Sequence, residues 1–298
     1  HALSGETVLV TWEVRNDGNA TTNLALWNDR VVLSLDAVLG GSDDIVLAGA
    51  VTHAGLLAPG ESYVGRAEIT LPRDLNGEYH VIVVTDVNQS VNEEGRRTNN
   101  TLASTGKISV QLAAVPDLTV SAVEGPAVLR PGDAATLRYT VSNVGGADAN
   151  TAWRDRIYID RGAAGLYQVA TVLVSEPLAA GQSAERQVSF TLPANFAEGE
   201  YRWVVRTDTE NTVYERDGEG NNELRSAAAL QVARPDLRLL GVEGPALVQS
   251  GSTVTVSWTV VNNGAIATGG WVDAVYLARD GVLTKYGEVQ RPGALGSG

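Results

Sequence analysis

A tripeptide of the form Trp-x-Asp occurs three times along this chain, at spacings close to the size of one domain. The three copies are Trp27–Asp29, Trp153–Asp155 and Trp271–Asp273. Each follows a strand-like segment that begins near a glycine and ends in Asn-x-Gly. A motif set that recurs at a fixed period indicates tandem copies of one structural unit, and this constrains the fold more than any other feature.

Other motifs recur in the same register. The sequences Gly-Glu-Tyr, Thr-Asp and Asn-Asn each recur at a shared offset of 122 residues. They are Gly77–Tyr79 and Gly199–Tyr201, Thr85–Asp86 and Thr207–Asp208, and Asn99–Asn100 and Asn221–Asn222. A period of about 120 residues is a common domain size.

The motifs define three copies of the repeat. Residues 1–114 form copy one, which is predicted to lack its first strand. Residues 115–233 form copy two, which is complete, and residues 234–298 form the first half of copy three. We therefore expect the chain to be a segment of a longer repeat protein. We also expect the missing half of copy three to leave strand edges unpaired, so that this part is either poorly ordered or completed by another chain.

The fold class is predicted to be all-β. Copy two contains seven short segments with alternating apolar and polar residues, separated by Gly, Pro, Asn and Asp turn signals, and no segment shows a sustained helical period. This pattern is typical of an immunoglobulin-like, fibronectin III-like antiparallel β-sandwich. The predicted strands are Leu118–Val123, Ala135–Ser142, Ile157–Asp160, Gln168–Val174, Arg186–Leu192, Tyr201–Thr207 and Leu224–Val232.

The alternation also predicts which side chains form the core of copy two, because a slip of one residue would exchange the two faces of a strand. Trp153 is expected to pack in the core just before the third strand. Tyr201 and its equivalent Tyr79 are candidates for a tyrosine corner, whose hydroxyl bonds back to the upstream backbone. The predicted core is Tyr139, Val141, Trp153, Phe190, Tyr201, Trp203 and Val205, with Arg138, Arg202 and Arg206 outside.

Charge and composition exclude several classes of partner. The formal net charge is −13, which argues against nucleic acid or an anionic membrane surface. No apolar run approaches the ~20 residues that span a bilayer, so direct membrane insertion of this segment is not expected. The chain contains no cysteine, and this rules out disulfides and thiolate-bound metal.

The combined motifs resemble those of the CARDB repeat, the cell-adhesion-related domain found in bacteria. The resemblance rests on Pro116-Asp117-Leu118, on Asn-x-Gly after the second strand, on Trp-x-Asp, and on an acidic loop ending in Asn221-Asn222. It covers copy two, most of copy one and the first half of copy three. It implies immunoglobulin-like modules of a large secreted or surface adhesin, located outside the bacterial cell or on its surface. It does not identify a ligand.

The acidic loop is the one candidate binding site in the sequence. Closely spaced carboxylate and amide oxygens are what a hard cation such as calcium requires. The alternative is a long loop whose Asp and Asn side chains bond their own backbone. An up-and-down strand order would bring the candidates to one end of copy two: Asp117, Asp155, Asp208, Glu215, Glu219 and Asn221, with copy-one equivalents Asp29, Asp86, Glu93 and Asn99.

No catalytic constellation is visible. The three histidines all lie in copy one, and no phosphate-binding loop or zinc motif occurs. We therefore favour a non-catalytic stalk that projects a distal binding region, with neighbouring repeats of the same protein as its partners. The alternatives are modules that bind a host or surface glycan or protein, and accessory domains of a secreted enzyme.

The joints between copies generate a prediction about shape. Both are short and contain a proline, Pro116 and Pro235, which fixes one backbone angle. We expect an extended rod with the copies end to end, measurable by small-angle X-ray scattering. A radius of gyration near the single-domain value of about 19 Å for a chain of this length would contradict it.

Overall fold

The computed structural model describes all residues, His1–Gly298, and is all-β apart from three single-turn 3-10 helices at Arg97–Asn99, Gly162–Ala164 and Gly218–Gly220. The chain divides into two compact units, His1–Ala114 and Val115–Gly298. None of its helices has the length and apolar character needed to span a membrane. The predicted fold class is confirmed.

The first unit, copy one, contains eight strands. They are β1 (Ala2–Leu3), β2 (Thr7–Arg15), β3 (Leu26–Ser34), β4 (Ile45–Ala54), β5 (Ser62–Thr70), β6 (Gly77–Val84), β7 (Thr101–Ala103) and β8 (Ile108–Gln111). One sheet has the order β1-β8-β6-β3-β4, with β7 also paired to β6, and the other contains only β2 and β5. Apolar side chains of the two sheets, among them Leu33, Leu71 and Val110, form the core between them.

Copy two repeats this arrangement more completely. Its strands are β9 (Leu118–Glu124), β10 (Val128–Leu129), β11 (Ala134–Asn143), β12 (Trp153–Asp160), β13 (Leu166–Val174), β14 (Ser183–Thr191), β15 (Gly199–Arg206) and β16 (Glu223–Val232). They form a five-stranded sheet, β10-β16-β15-β12-β13, and a three-stranded sheet, β14-β11-β9. The β11–β14 pair corresponds to β2–β5, and copy one has no counterpart of β9 beside β2.

The predicted register of copy two is confirmed. Tyr139, Val141, Trp153, Trp203 and Val205 are each at most 2% exposed, and Phe190 is 9% exposed. The three arginines predicted to face outward are exposed. The third strand begins earlier than predicted, at Trp153 itself, because the Trp-x-Asp residues already pair with β13.

Tyr201 departs from the core prediction because it is only half-buried. Its hydroxyl donates to the carbonyl oxygens of Ala197 (3.1 Å) and Glu198 (3.4 Å), and reaching them draws the ring toward the corner before β15. In copy one, the Tyr79 hydroxyl donates to Asn76 O at 3.0 Å in the same way. Both tyrosines therefore form the predicted tyrosine corner, which anchors the strand by a bond to upstream backbone.

Copy three, which belongs to the second unit, has the four strands expected of a first half. They are β17 (Leu237–Glu243), β18 (Ser257–Asn262), β19 (Trp271–Arg279) and β20 (Val282–Arg291). β18 pairs only with β17, whereas its equivalent β11 has partners on both sides. Leu239 is 59% exposed where its equivalent Val120 is 4% exposed. What covers this apolar face in solution stays a prediction.

The packing of Trp203 provides a test of the register. Its indole lies against Gly125, where an added Cβ would sit 2.4 Å from Nε1, and packs edge-on to Phe190. Truncation should leave a large cavity, so we expect Trp203→Ala to lower the free energy of unfolding by about 3–5 kcal/mol, measured by chemical denaturation. Leu173→Ala is the control, because Leu173 is 60% exposed and should change stability little. Equal effects of the two changes would refute the register.

Candidate functional site

The aspartate of each Trp-x-Asp motif accepts hydrogen bonds from several surrounding side chains, and we call this group the buried aspartate hub. In copy two, Asp155 is fully buried. Its Oδ1 accepts from Trp153 Nε1 (2.9 Å) and Thr207 Oγ1 (2.7 Å), and its Oδ2 accepts from the Tyr139 hydroxyl (2.9 Å). Arg186 Nε lies 4.0 Å from Oδ2 and supplies positive charge. The carboxylate thus links β11, β12 and the end of β15 across the two sheets.

Copy one builds the same hub with different donors. Asp29 accepts from Trp12 Nε1 (2.8 Å), the Tyr63 hydroxyl (2.6 Å) and Thr85 Oγ1 (2.7 Å). Trp12 takes the place of Tyr139, and Gly65 stands opposite it where copy two has Arg186. The glycine is required there because an added Cβ would lie 2.2 Å from the Trp12 ring.

Copy three repeats the hub at Asp273, which accepts from Trp258 Nε1 (2.9 Å), Trp271 Nε1 (2.8 Å) and Arg291 Nε (3.1 Å).

Burial raises the pKa of Asp155, an effect opposed by the hydrogen bond from Thr207 and by its other donors. The bond from Trp258 lowers the pKa of Asp273, which lies in a more open setting. The difference follows from desolvation, which disfavours the charged form only where water is excluded.

These contacts separate Asp29 and Asp155 from the other candidate ligands. Both carboxylates accept hydrogen bonds from side chains of the hub, among them Thr85 and Thr207. The sequence placed Asp155 at the same end of copy two but could not show that Tyr139, Trp153 and Thr207 surround it. Asp155 thus belongs to the hub, whereas the other five residues named for copy two lie in or beside the acidic loop.

The acidic loop, residues 208–222, is folded around its first residue. Asp208 is 1% exposed, and its carboxylate accepts from the backbone N–H of Thr212 (3.0 Å) and Val213 (2.8 Å). In copy one, Asp86 accepts in the same way from Ser90 (2.8 Å) and Val91 (2.9 Å). The prediction that Asx side chains bond their own backbone describes these two aspartates correctly.

Glu215 and Glu219 do not fit that description. Glu215 is 2% exposed, its Oε2 accepts from the backbone N–H of Leu118 (3.1 Å), and its Oε1 has no partner. Glu219 Oε1 accepts from Glu215 N (3.3 Å), and its buried Oε2 is also without a partner. Two buried carboxylate oxygens without hydrogen bonds are costly for a folded protein.

Asp117 and Asn221 complete the group at the start of β9. Asn221 Nδ2 donates to Asp117 Oδ1 at 2.9 Å. An added Cβ on Gly218 would lie 3.0 Å from the Asp117 carboxyl carbon and 3.2 Å from Glu215 Cβ, so the loop backbone passes close to both side chains. We call Asp117, Glu215, Glu219 and Asn221, with Asp208 beside them, the acidic cluster.

The electrostatics of the cluster are unfavourable without a counter-charge. Burial, together with the nearby carboxylates of Glu219 and Asp208, raises the pKa of Glu215 to about 7, against the lowering effect of the Leu118 N–H. No three acidic or histidine side chains converge closely enough in this conformation to hold a metal ion as they stand.

The copy-one candidates are arranged differently. Glu93 Oε2 accepts from Asn100 Nδ2 (2.6 Å), and Asn99 is exposed. Asp86 Oδ2 lies 3.5 Å from Nη1 of Arg97, a residue that was not among the predicted site residues. The repeat itself pointed to Arg97, because the offset of 122 places Arg97 at the position of Glu219.

Comparison with known proteins identifies the family. The CARDB family model matches residues 1–104 and 115–226, which together exceed two thirds of the chain. The chain belongs to the CARDB family. Copies one and two are therefore tandem CARDB repeats, and the resemblance drawn from the motifs is confirmed at this level. A search of curated proteins gave no match.

Solved structures similar to the chain include a CARDB domain of Pyrococcus furiosus in complex with di-metal ions, at 30% identity and a TM-score of 0.31, with 40% of this chain and 89% of that domain covered. The solution structure of the same domain is similar at 29% sequence identity and a TM-score of 0.31. The match covers 40% of this chain and 97% of that domain. A β-glucosidase of Listeria innocua is similar at 17% sequence identity and a TM-score of 0.26. The match covers 43% of this chain but only 18% of the glucosidase.

The raised pKa of Glu215 predicts how copy two responds to pH. Its carboxyl has an ordinary pKa of 4.5 when unfolded and about 7 when folded, so the folded state binds the proton more tightly. The resulting stabilisation is complete below pH 4.5 and is lost as pH rises through 7. In chelator-treated protein, we expect the melting temperature of the second unit to rise as pH falls from about 8 to about 6.

Glu215→Gln serves as the matched variant because it keeps the side-chain shape and removes the titration. It should flatten the pH dependence of melting over the same range, measured by calorimetry. A wild-type profile that is already flat there would show that Glu215 does not titrate in this window.

Proposed function

We propose that this chain is a non-catalytic spacer segment of an extracellular or surface-located bacterial adhesin, built from CARDB repeats, in which copy two binds a calcium ion at its acidic cluster. The spacer role is supported by the tandem order of the two matched repeats and by the hub that each repeat carries. Because each hub draws all its donors from its own copy, each repeat stabilises its own pair of sheets.

The calcium site is carried by one observation: Glu215 is 2% exposed yet has a carboxylate oxygen, Oε1, with no partner. A cation next to this oxygen would supply the missing interaction and offset the desolvation of the charge. The neighbouring Glu219 Oε2, also buried and unpartnered, offers a second oxygen ligand. Oxygen ligands from carboxylates and amides are those that Ca²⁺ prefers.

The remaining ligands come from the two ends of the cluster. Asp117 precedes β9, and its carboxylate already contacts Asn221 in the loop. Asp208 uses its oxygens to hold the loop backbone and contributes negative charge rather than a free ligand. A cation held by Asp117, Glu215 and Glu219 would join the first strand of copy two to the loop between β15 and β16. Binding requires Asp117 and Glu219 to move inward, which neutralisation of their repulsion allows.

We expect millimolar calcium to raise the melting temperature of the second unit, because a ligand that binds only the folded state stabilises it by mass action. A concentration 100-fold above the dissociation constant corresponds to about 2.7 kcal/mol. Calorimetry of the full chain measures the shift, and Trp203→Ala identifies which transition belongs to the second unit. Isothermal titration measures binding directly.

Variants distinguish a defined site from general charge screening. Glu219→Gln should abolish the calcium-induced shift, and Asp117→Asn should reduce it. Glu210→Gln is the control, because Glu210 lies in the same loop but pairs with Arg154 and Arg156 outside the cluster. If titration shows no heat and calcium produces no shift, or if the control loses as much as the cluster variants, the calcium site is wrong.

A further inference from the structure

The loops of copies one and two share several backbone features despite different sequences, although Gly95 has a φ of 85° where its equivalent, Asp217, has −89°. Non-glycine residues adopt positive φ at three equivalent places: Asp86 and Asp208 (47° and 39°), Gln89 and Asn211 (57° and 48°), and Glu94 and Arg216 (51° and 55°). Such angles are uncommon for non-glycine residues, so their shared positions align the two loops residue by residue. Side chains at equivalent positions of the two loops can therefore be compared.

The most consequential difference is at Arg97 and its equivalent, Glu219. In copy one, Arg97 Nη2 donates to Val91 O at 2.8 Å, and Nη1 lies 3.5 Å from Oδ2 of the buried Asp86. The guanidinium thus reaches into the loop and supplies a positive charge beside its central carboxylate. A guanidinium suits this place because it stays protonated, so that Nη2 donates to the Val91 carbonyl while the charge lies beside the Asp86 carboxylate.

Copy two has a carboxylate at the same position. Residues 86–100 contain three acidic and two basic residues, whereas residues 208–222 contain five acidic residues and one basic residue, Arg216. Arg216 is engaged in an interaction of its own and is already included in that count. Asp117 adds a further negative charge, so the loop of copy two holds an excess of carboxylate that copy one lacks.

We propose that position 97 of copy one and position 219 of copy two decide where the counter-charge of this loop comes from. Arg97 is a built-in cation that makes copy one independent of metal, and Glu219 makes copy two depend on a divalent cation from solution. The second half of this inference rests on the proposed calcium site. One residue thus converts the same loop between a self-neutralised form and a metal-binding form.

The test places each residue in the other copy of the full-length chain. Glu219→Arg should abolish the calcium-induced rise in the melting temperature of the second unit and should raise its melting temperature in chelator. Arg97→Glu should lower the melting temperature of the first unit in chelator and leave the second unit unchanged. Glu200→Arg is the control, because it makes the same charge change at an exposed position at the far end of β15.

A second substitution protects the test against misfolding. Glu219→Gln removes the carboxylate without adding a cation, so it should lose the calcium response but gain less stability in chelator than Glu219→Arg. Far-UV circular dichroism confirms that each variant is folded. If Glu219→Arg fails to fold, a calcium response retained by Glu219→Gln overturns the inference on its own.

The outcomes separate the two proposals. A wild-type protein that ignores calcium overturns the calcium site and, with it, the metal dependence of copy two. A wild-type response that survives in Glu219→Arg overturns the inference while the calcium site stands. An Arg97→Glu protein with unchanged melting of the first unit also overturns it, because Arg97 would then supply no needed charge.

Discussion

In copies one and two, a buried carboxylate, the aspartate of Trp-x-Asp, links the two sheets of the sandwich. In copy two, its partners lie on β11 of one sheet and on β12 and the end of β15 of the other. Because Asp155 is fully buried, each donor it holds replaces a bond to water that folding removed. Charge-assisted bonds of this kind are stronger than neutral ones, and their geometry fixes how the sheets are aligned.

The three hubs differ in their donors but share the same central group, an aspartate. The same cross-strand pair is Trp12 with Gly65 in copy one and Tyr139 with Arg186 in copy two. Copy one places a bulky indole opposite a glycine, and copy two places a smaller ring opposite a cationic side chain. In copy three the cation is Arg291, which also lies 5.6 Å from the centre of the Trp258 ring. The paired changes keep the space around the carboxylate filled and its oxygens bonded, as dense packing requires.

The acidic cluster shows the opposite condition, in which burial is not matched by donors. Asp155 and Glu215 are comparably buried, but Asp155 has three hydrogen-bond donors on its two oxygens, while Glu215 Oε1 has none. Burial raises the pKa of both carboxyls, since it penalises the charged form in either setting. Only at Glu215 do neighbouring carboxylates raise the pKa further. The loop of copy one instead places the positive charge of Arg97 beside its buried carboxylate, Asp86.

The sequence alone determined the period of the repeat, the all-β class, the faces of the strands of copy two and the tyrosine corner, because alternation and turn residues are local properties of the chain. It also placed the acidic residues in one loop. Only the tertiary structure decided that Asp155 is a hub of the core while Glu215 and Glu219 keep unpartnered oxygens. All three are carboxylates in repeated motifs, and what distinguishes them is the set of donors supplied by distant strands. That set depends on how the two sheets pack, which no local pattern specifies.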